Sequence, residues 1–489
     1  MPKQTMYLLT FFLLTGIVEA IWGMGQLYGF LPSFNNSFKI TGSFYNPGPF
    51  SGYIAVVVPL ALYFLVKDIP TVKERRGFHF LRWCISLLTI SLSAVILPAT
   101  LSRASWLAVI IGCLFVLISS VYGSNIWISF CKFRNESIFR RILIPTLFSV
   151  LLFSSVIGVY YLKKDSADGR ILIWKNTIQV MKENPFGVGL GYFPGYYGNS
   201  QIDYFSKGQA TDREIFLAGR PDYAFNEYLQ VGAETGIVGL ILFIAVLFTG
   251  IYQSLRLKAY GTTGSFIALM VFAFVSYPFS LLPFLIVFVF LLAQCNGHYG
   301  MTKIYFTNTF IILAICAVCS FSTLYDQYPS YEAYKKWFIA QHLYKSKAYE
   351  KSLELYENVK QHLSDNPSFL FEYANCLTAN KQHEKSNAAL KRAYNFCCDP
   401  VVFIRMGANY QSMKDFNRAI YCYQKAGYLI PNRLYPYYLL TKAYLNIGDY
   451  KKAIQTAQYC LSKPVKIQSQ ATEEIRKEMR SILNLYGDE

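Results

Sequence analysis

A chain of 489 residues in which 53% of side chains are hydrophobic and only 15% charged, with a mean hydropathy of +0.27, is too apolar for an ordinary soluble protein. Its formal charge of +17 invites a nucleic-acid reading, but the placement of that charge argues against one. Apolar runs near residues 7–24, 49–66, 83–99, 104–122, 142–161, 235–253, 264–282, 281–295 and 304–324 are almost free of charge. Several reach the roughly 18–20 residues that a helix needs to cross about 30 Å of hydrocarbon. The run at 281–295 shares Ser280–Pro283 with its neighbour and predicts a tight helical hairpin. The first run has no small-residue cleavage site and contains Glu19, which favours a retained helix over a signal peptide.

Basic residues cluster after the second run (Lys67, Lys73, Arg75, Arg76, Arg82) and after the fourth (Lys132, Arg134, Arg140, Arg141). Arg256, Lys258 and Lys303 fall in the next two even-numbered connectors. Lys and Arg in short loops mark the cytoplasmic side. All four clusters agree on nine spans, an inner N-terminus and an outer C-terminus, so the positive charge reads as orientation signal and no nucleic-acid partner is expected.

That topology leaves one long external loop, 162–234. Loops of this length without strong helical periodicity are uncommon unless functional. It carries DGRILIWKNT (168–177), NPFGVGLGYF (184–193) and YAFNEYLQVGAETGIVGL (223–240). Two external turns accompany it, TLSRAS (100–105) with Arg103, and TGSFYNPGPFSGY (41–53). The spacing Gly187-x-Gly189-x-Gly191 lies in no βαβ unit, so tight turns explain it better than nucleotide binding. Tyr192, Phe193, Tyr196 and Tyr197 could stack on sugar rings or form an interfacial aromatic belt, the belt being the default.

Beyond residue 332 the sequence repeats. Pro367, Pro400, Pro431 and Pro464 recur at 33, 31 and 33 residues; Tyr349, His383, Phe416 and Tyr450 recur at 34, 33 and 34. Ser352, Ser386, Ala419 and Ala453 keep the same step. A bulky residue between antiparallel helices, a small one at their close approach and a proline that stops the second helix explain the pattern. It resembles four tetratricopeptide repeats closed by a helix near Glu473–Leu485. Such stacks present a concave surface for a protein partner; a brace for the membrane part is the plainer alternative. The expected organisation is therefore all-α: a polytopic membrane domain over 1–325, loop 162–234 included, and an external repeat domain over 326–489. The five cysteines of that domain, Cys376, Cys397, Cys398, Cys422 and Cys460, are an odd set that forbids a closed disulfide framework. None has zinc-ligand spacing with histidine, so neither metal nor cofactor is expected.

The loop motifs carry a further resemblance, over roughly residues 40–295. They are similar to those of the lipid-linked glycan transferases that include O-antigen ligases, O-antigen polymerases and bacterial protein O-oligosaccharyltransferases. The family's Ser-Arg at a span end is matched by Ser102-Arg103, and its Arg shortly before a Trp by Arg170 and Trp174. Its Asn-Pro-hydrophobic-Gly-x-Gly is matched by Asn184–Gly189, and its His-Asn-x-x-Leu-Gln followed by Glu-x-Gly by Asn226–Gly239, with Phe225 where the family has histidine. The resemblance implies a bacterial inner-membrane glycosyltransferase acting on an undecaprenyl diphosphate-linked glycan, with the repeats in the periplasm. Its acceptor would be a hydroxyl on protein, lipopolysaccharide core or another glycan.

Attack by an acceptor hydroxyl at the anomeric carbon expels the diphosphate, so negative charge grows on the leaving group. Arginine suits that charge because its planar fork binds phosphate oxygens in pairs and stays protonated. Arg103 and Arg170 are nominated by the resemblance; Arg213 and Arg220 are further candidates in the same loop, and headgroup anchoring is the plainer alternative for Arg103. Of the five histidines, His79 and His298 lie in cytoplasmic connectors and His342, His362 and His383 in the repeats. The base must then be a nearby carboxylate within hydrogen-bond reach. Asp222 and Glu227 bracket the missing histidine and, with Asn226, are the catalytic candidates; Asp212 and Glu214 are also near. The plainer alternative has them as solvated charges or as partners of arginines. Rival functions are a flipping protein for the same lipid, which would need more polar residues within spans than Glu19, and a catalytically silent scaffold recruiting partners through the repeats.

Overall fold

A computed structural model describes residues 3–69, 77–122, 164–296, 306–466 and 468–486. The run at 142–161 lies outside the described residues, as do Lys73, Arg75, Arg76, Lys132, Arg134, Arg140, Arg141, His298 and Lys303. Among the described residues every regular element is helical, as the sequence predicts. Two units divide the chain: Met1–Ala167 with Ala224–Gly232 and Ile237–Gly300, and Asp168–Tyr223 with Ala233–Gly236 and Met301–Glu489.

In the first unit, α1 (Lys3–Leu27), α2 (Pro47–Lys67), α3 (Phe78–Ala99), α4 (Arg103–Tyr122) and α8 (Glu227–Arg256) are long and apolar enough to cross a membrane. Helices α9 (Tyr260–Phe274) and α10 (Leu282–Asn296) are apolar but have 15 residues each, roughly 22 Å at 1.5 Å per residue. They meet as the predicted hairpin, through a 3-10 turn at Pro278–Ser280. Helix α2 is the centre of the bundle, buried along most of its length against α1, α3, α4 and α9. Small residues permit the closest crossing: a Cβ on Gly112 of α4 would stand 2.8 Å from the Gly264 carbonyl of α9. Without a hydrophobic drive between helices in lipid, such close backbone packing supplies the attraction.

One charge at the connector between α2 and α3 departs from expectation. Arg82, counted above among the orientation charges, is fully buried, and its Nε and Nη2 donate to the Asp68 carboxylate at 2.8 and 2.9 Å. Its guanidinium also lies 4.2 Å from the Phe64 ring. Asp68 ends α2 and Arg82 sits one turn into α3, so the fork ties the two helices at their connector. An ion so deeply buried cannot stay charged without a partner.

The second unit joins the loop to the repeats. The loop is helical, contrary to the weak periodicity of its sequence: α5 (Lys164–Glu183), α6 (Phe193–Ser206) and α7 (Asp212–Leu217). Its polar residues are consumed locally. Thr211 and Glu214 form a capping box for α7, and Lys175 of α5 binds Glu214 at 3.1 Å.

The repeats are four helix pairs. The C-terminal part of α11 (Phe306–Lys345) pairs with α12 (Tyr349–Val359), then α13 (Pro367–Ala379) with α14 (His383–Tyr394), α15 (Pro400–Ser412) with α16 (Phe416–Leu429), and α17 (Leu434–Asn446) with α18 (Tyr450–Ser462). Helix α19 (Gln470–Tyr486) closes the stack. The predicted small positions Ser352, Ser386, Ala419 and Ala453 are all fully buried. Ser352 and Ser386 each donate at 2.8 Å to a carbonyl twelve residues earlier, Ala340 and Ala374. Tyr349, His383, Phe416 and Tyr450 each open a second helix. The prolines need correction: Pro367 and Pro400 do not stop a second helix but start the next pair, at the first-turn position where a missing N–H costs nothing. A further periodic signal passed unnoticed in the sequence: Lys347, Lys381, Lys414 and Gly448 have φ of 65°, 61°, 60° and 77° and make each turn between paired helices.

Removing one partner of a buried ion pair costs about 3–5 kcal/mol. Asp68→Ala should therefore lower the melting temperature of the detergent-solubilised protein markedly, and Asp68→Ala/Arg82→Met together should recover most of it. A pH effect belongs to the loop. Burial pulls the Glu214 carboxyl upward, but the Thr211 N–H, the Tyr204 hydroxyl and Lys175 outweigh it and bring it down to about 2. A depressed carboxyl stabilises above its unfolded pKa of about 4.3 and loses that contribution as pH falls through the folded value. Protection from hydrogen exchange in 204–217, taken relative to the intrinsic rate at each pH, should fall between about pH 4.3 and pH 2, and Glu214→Gln should flatten that dependence.

Candidate functional site

The end of the first unit where α2, α4, α8 and α10 begin is built by caps. Asn46 accepts from the Gly48 N–H at 2.9 Å and starts α2 with Pro47 in the first turn. Between α3 and α4 the chain reverses in three residues. Leu101 takes the left-handed conformation (φ 51°), and the Trp106 indole N–H donates to the Leu97 carbonyl at 2.8 Å. Arg103 therefore opens α4. Beside it runs a hydroxyl chain, Ser102 to Ser105 at 2.8 Å and Ser105 to Ser51 of α2 at 2.7 Å.

The motif that should hold the histidine has a defined geometry. Phe225 is left-handed (φ 52°), an uncommon state for an aromatic residue that needs support from its surroundings. Its ring meets Tyr277 edge-on, centroids 5.2 Å apart, and the Tyr277 hydroxyl accepts from the Asn46 amide at 3.3 Å. Asn226 is the N-cap of α8, its carboxamide oxygen accepting from Tyr228 and Leu229. Glu227 is 3% exposed and accepts the Phe279 N–H at 2.6 Å, fixing the 3-10 turn before α10. Asn46, Tyr277, Phe225 and Glu227 thus bring the starts of α2, α8 and α10 together, and the serines add that of α4. Helix N-termini carry unpaired N–H groups and partial positive charge, which favour an anion. Tyr277 and the Ser51–Ser105 pair escaped the sequence reading because nothing local marks them; only the fold brings them to the motifs.

In the second unit Arg170 and Trp174 are one turn apart on α5, on one face. The motif Asn184–Gly189 is a clasp. Val188 and Gly189 donate to the carbonyls of Ala233 and Glu234 at 2.9 Å each, and Gly191 donates to the Glu234 carboxylate at 3.2 Å. Helix α8 breaks there: Gly236 has φ 73° and ψ −174°, a region essentially reserved for glycine. A side chain on Gly236 would strike the Pro185 carbonyl oxygen at 2.6 Å, and one on Gly187 (φ 88°) the Glu234 carbonyl oxygen at 2.5 Å. Gly187, Gly189 and Gly191 all have positive φ, in keeping with the tight-turn reading.

The remaining candidates separate. Arg213 binds Asp168 at 2.5 Å, Arg220 pairs with Asp399 of the repeats, and Asp222 is exposed. Arg103, Asn226 and Glu227 fall in the first unit; Arg170, Arg220 and Asp222 fall in the second. Phe193 and Tyr197 are 0% and 1% exposed, so neither can stack on a sugar or line a membrane interface. Tyr192 packs on Phe396 of the repeats at 4.7 Å. Among the described residues no cluster of His, Cys, Asp and Glu is arranged to hold a metal.

Apolar helices long enough to cross a membrane mark a membrane protein, and comparison with known proteins bears on its motifs. Residues 88–244, which contain all four motifs, match the family model described as O-antigen ligase. The exopolysaccharide production protein ExoQ of Rhizobium meliloti (strain 1021) is 30% identical over 95 residues, 19% of this chain and 20% of that protein. The match thus spans about a fifth of the relative's length. Among solved structures, MamA from Desulfovibrio magneticus RS-1 is 15% identical with a TM-score of 0.25, covering 32% of this chain and 93% of that one. YrrB, described as a TPR protein with an unusual peptide-binding site, is 14% identical with a TM-score of 0.26, covering 34% and 91%.

Because glycine alone tolerates the clasp, Gly236→Ala should cost about 1–3 kcal/mol in backbone strain, before any clash with Pro185. The check is the thermal stability of detergent-solubilised protein, with Gly208→Ala, at an open left-handed turn, as the reference.

Proposed function

We propose that the protein transfers a glycan from a polyprenyl diphosphate carrier to an acceptor hydroxyl at the outer face of a bacterial inner membrane. The observation that carries this reading is Arg103 at the first position of α4, at the end of the bundle where α2, α8 and α10 also begin. A guanidinium among helix N-termini suits a diphosphate on which charge grows as the glycosidic bond breaks. Arg170 is assigned to the diphosphate on its motif. Arg220 can join only by leaving Asp399, so its role is secondary.

The acid–base assignment narrows. Asn226 and Glu227 spend their oxygens on a helix cap and on the 278–280 turn, so they hold the motif in shape. Asp222, exposed and four residues before the helix cap, is the candidate base for the acceptor hydroxyl. A carboxylate suffices if the hydroxyl proton moves late, as the leaving group departs. The likeness to ExoQ, an exopolysaccharide production protein, favours a growing polysaccharide as acceptor over the protein hydroxyl that the repeats suggested. Helices α5–α7 and the repeats share one unit, which supports placing the repeats on the side of the membrane that the loop occupies.

Loss of a donor aimed at developing charge costs about 2–4 kcal/mol. Arg103→Ala should lower transfer from a purified polyprenyl diphosphate-glycan by about 10²–10³-fold, and Arg103→Lys by less, with unchanged elution on size exclusion. Wild-type protein that neither binds nor transfers this donor would refute the reading, and silent Arg103 variants would remove the residue from it.

A further inference from the structure

We infer that the repeat domain is a positioning element for the Arg170 helix, with Asn432 and Gln201 as its positioning residues; the consequence for transfer rests on the function proposed above. Asn432 lies in the link between the third and fourth helix pairs and is 9% exposed. Its amide nitrogen reaches the carbonyls of Ile215, Phe216 and Ala218 at 3.3, 3.0 and 2.9 Å, the last turn of α7, where helical carbonyls lack partners of their own. Gln201 of α6 is fully buried and works in the other direction. Its amide donates to Gly219 of the loop and to Leu429 of the repeats, while its oxygen accepts from Tyr197.

Close backbone packing accompanies these bonds. A Cβ on Gly195 would stand 2.6 Å from the carbonyl oxygens of Tyr394 and Asn395, so the start of α6 rests directly on the link between the second and third pairs. From this joint a short path leads to the motif. Ala218, beside the carbonyls that Asn432 holds, packs in one buried cluster with Phe205 and with Leu172 of α5. Leu172 is two residues from Arg170. Ser200 of α6 donates to Asn176 on the same helix at 3.3 Å, and Arg213 of α7 grips Asp168. Helix α5 is thereby braced on α6 and α7, and both are braced on the repeats.

A joint made of neutral amides and buried glycines differs in kind from the exposed Arg220–Asp399 pair. Exposed pairs contribute little and yield readily, whereas a buried carbonyl left without its donor is costly. The amides therefore set the position of α5 and the ion pair trims it. Misplacing a binding group by about 1 Å can cost roughly 10²-fold in rate.

The test uses the full-length protein in detergent with two readouts. Asn432→Ala and Gln201→Ala should raise hydrogen exchange at least tenfold in 170–183 and 193–219, while α17 and α18 keep native protection. With donor supplied, kcat should fall at least tenfold and KM for an acceptor should change by less than threefold; Asn432→Gln, which keeps the amide, should recover part of both effects. Arg220→Ala should change hydrogen exchange in 170–183 and 193–219 by no more than about threefold. Unchanged exchange in the loop overturns the inference, and so does faster exchange with native kcat. Should wild-type protein show no transfer, the exchange arm alone decides whether the repeats hold α5, and the proposed function fails separately.

Discussion

Two glycine backbones meet where the loop returns to the membrane helix, and much of the candidate site depends on that meeting. Gly187 turns the Asn184–Gly189 motif so that its N–H groups face the carbonyls of Ala233 and Glu234, and Gly236 breaks α8 so that those carbonyls are available. Neither position has room for a methyl group. In an unbroken helix the Ala233 and Glu234 carbonyls would accept from residues four further on, and the loop would have no backbone to pair with. The break thus turns intrahelical hydrogen bonds into a joint between distant motifs. The Ala233 and Glu234 carbonyls thereby keep hydrogen-bond partners in Val188 and Gly189, as buried backbone groups require.

Seen from that joint, the motif residues fall into two kinds. Most hold shape: Asn184–Gly189 clasps, Asn226 caps, Glu227 pins the turn before α10, and Phe225 rests on Tyr277. Arg103 opens α4 and Arg170 lies on α5, and the proposed function assigns both to the diphosphate. In that proposed reaction the leaving group needs charge stabilisation far more than the hydroxyl needs a strong base. The division also bears on the absent histidine. Phe225 keeps the strained left-handed backbone while supplying no proton acceptor, so the turn serves the architecture of the α8 start independently of what its side chain does.

The fold was largely legible in the sequence because hydrophobic run length and a 34-residue period report directly on burial. Helices α1–α4 and α8 follow the runs, and all four repeat pairs follow Tyr349, His383, Phe416 and Tyr450. Residues whose role depends on distant partners were not legible. Arg82 looks like any loop cation until Asp68 folds against it. Phe193 and Tyr197 look like interfacial aromatics until α6 buries them. The repeating prolines play two roles: Pro431 and Pro464 follow the end of a second helix, as expected, while Pro367 and Pro400 begin the next pair, and both roles leave the same mark in a repeat. Asn432 and Gln201 carried no signal, because single amides become anchors only through the carbonyls that the tertiary fold places around them.

The turns of the repeat stack have a consequence for how it comes apart. Three of the four carry lysine in a left-handed conformation and the fourth carries Gly448. Each lysine sits about 1 kcal/mol above what glycine or asparagine would allow there. In a linear array each pair is stabilised mainly by its neighbours, so these small penalties accumulate toward the first three pairs and spare the last. The penalty falls equally on the three pairs of α11–α16 and is absent from α17–α18. Asn432 anchors the loop in the link just before the one pair whose turn carries no such penalty.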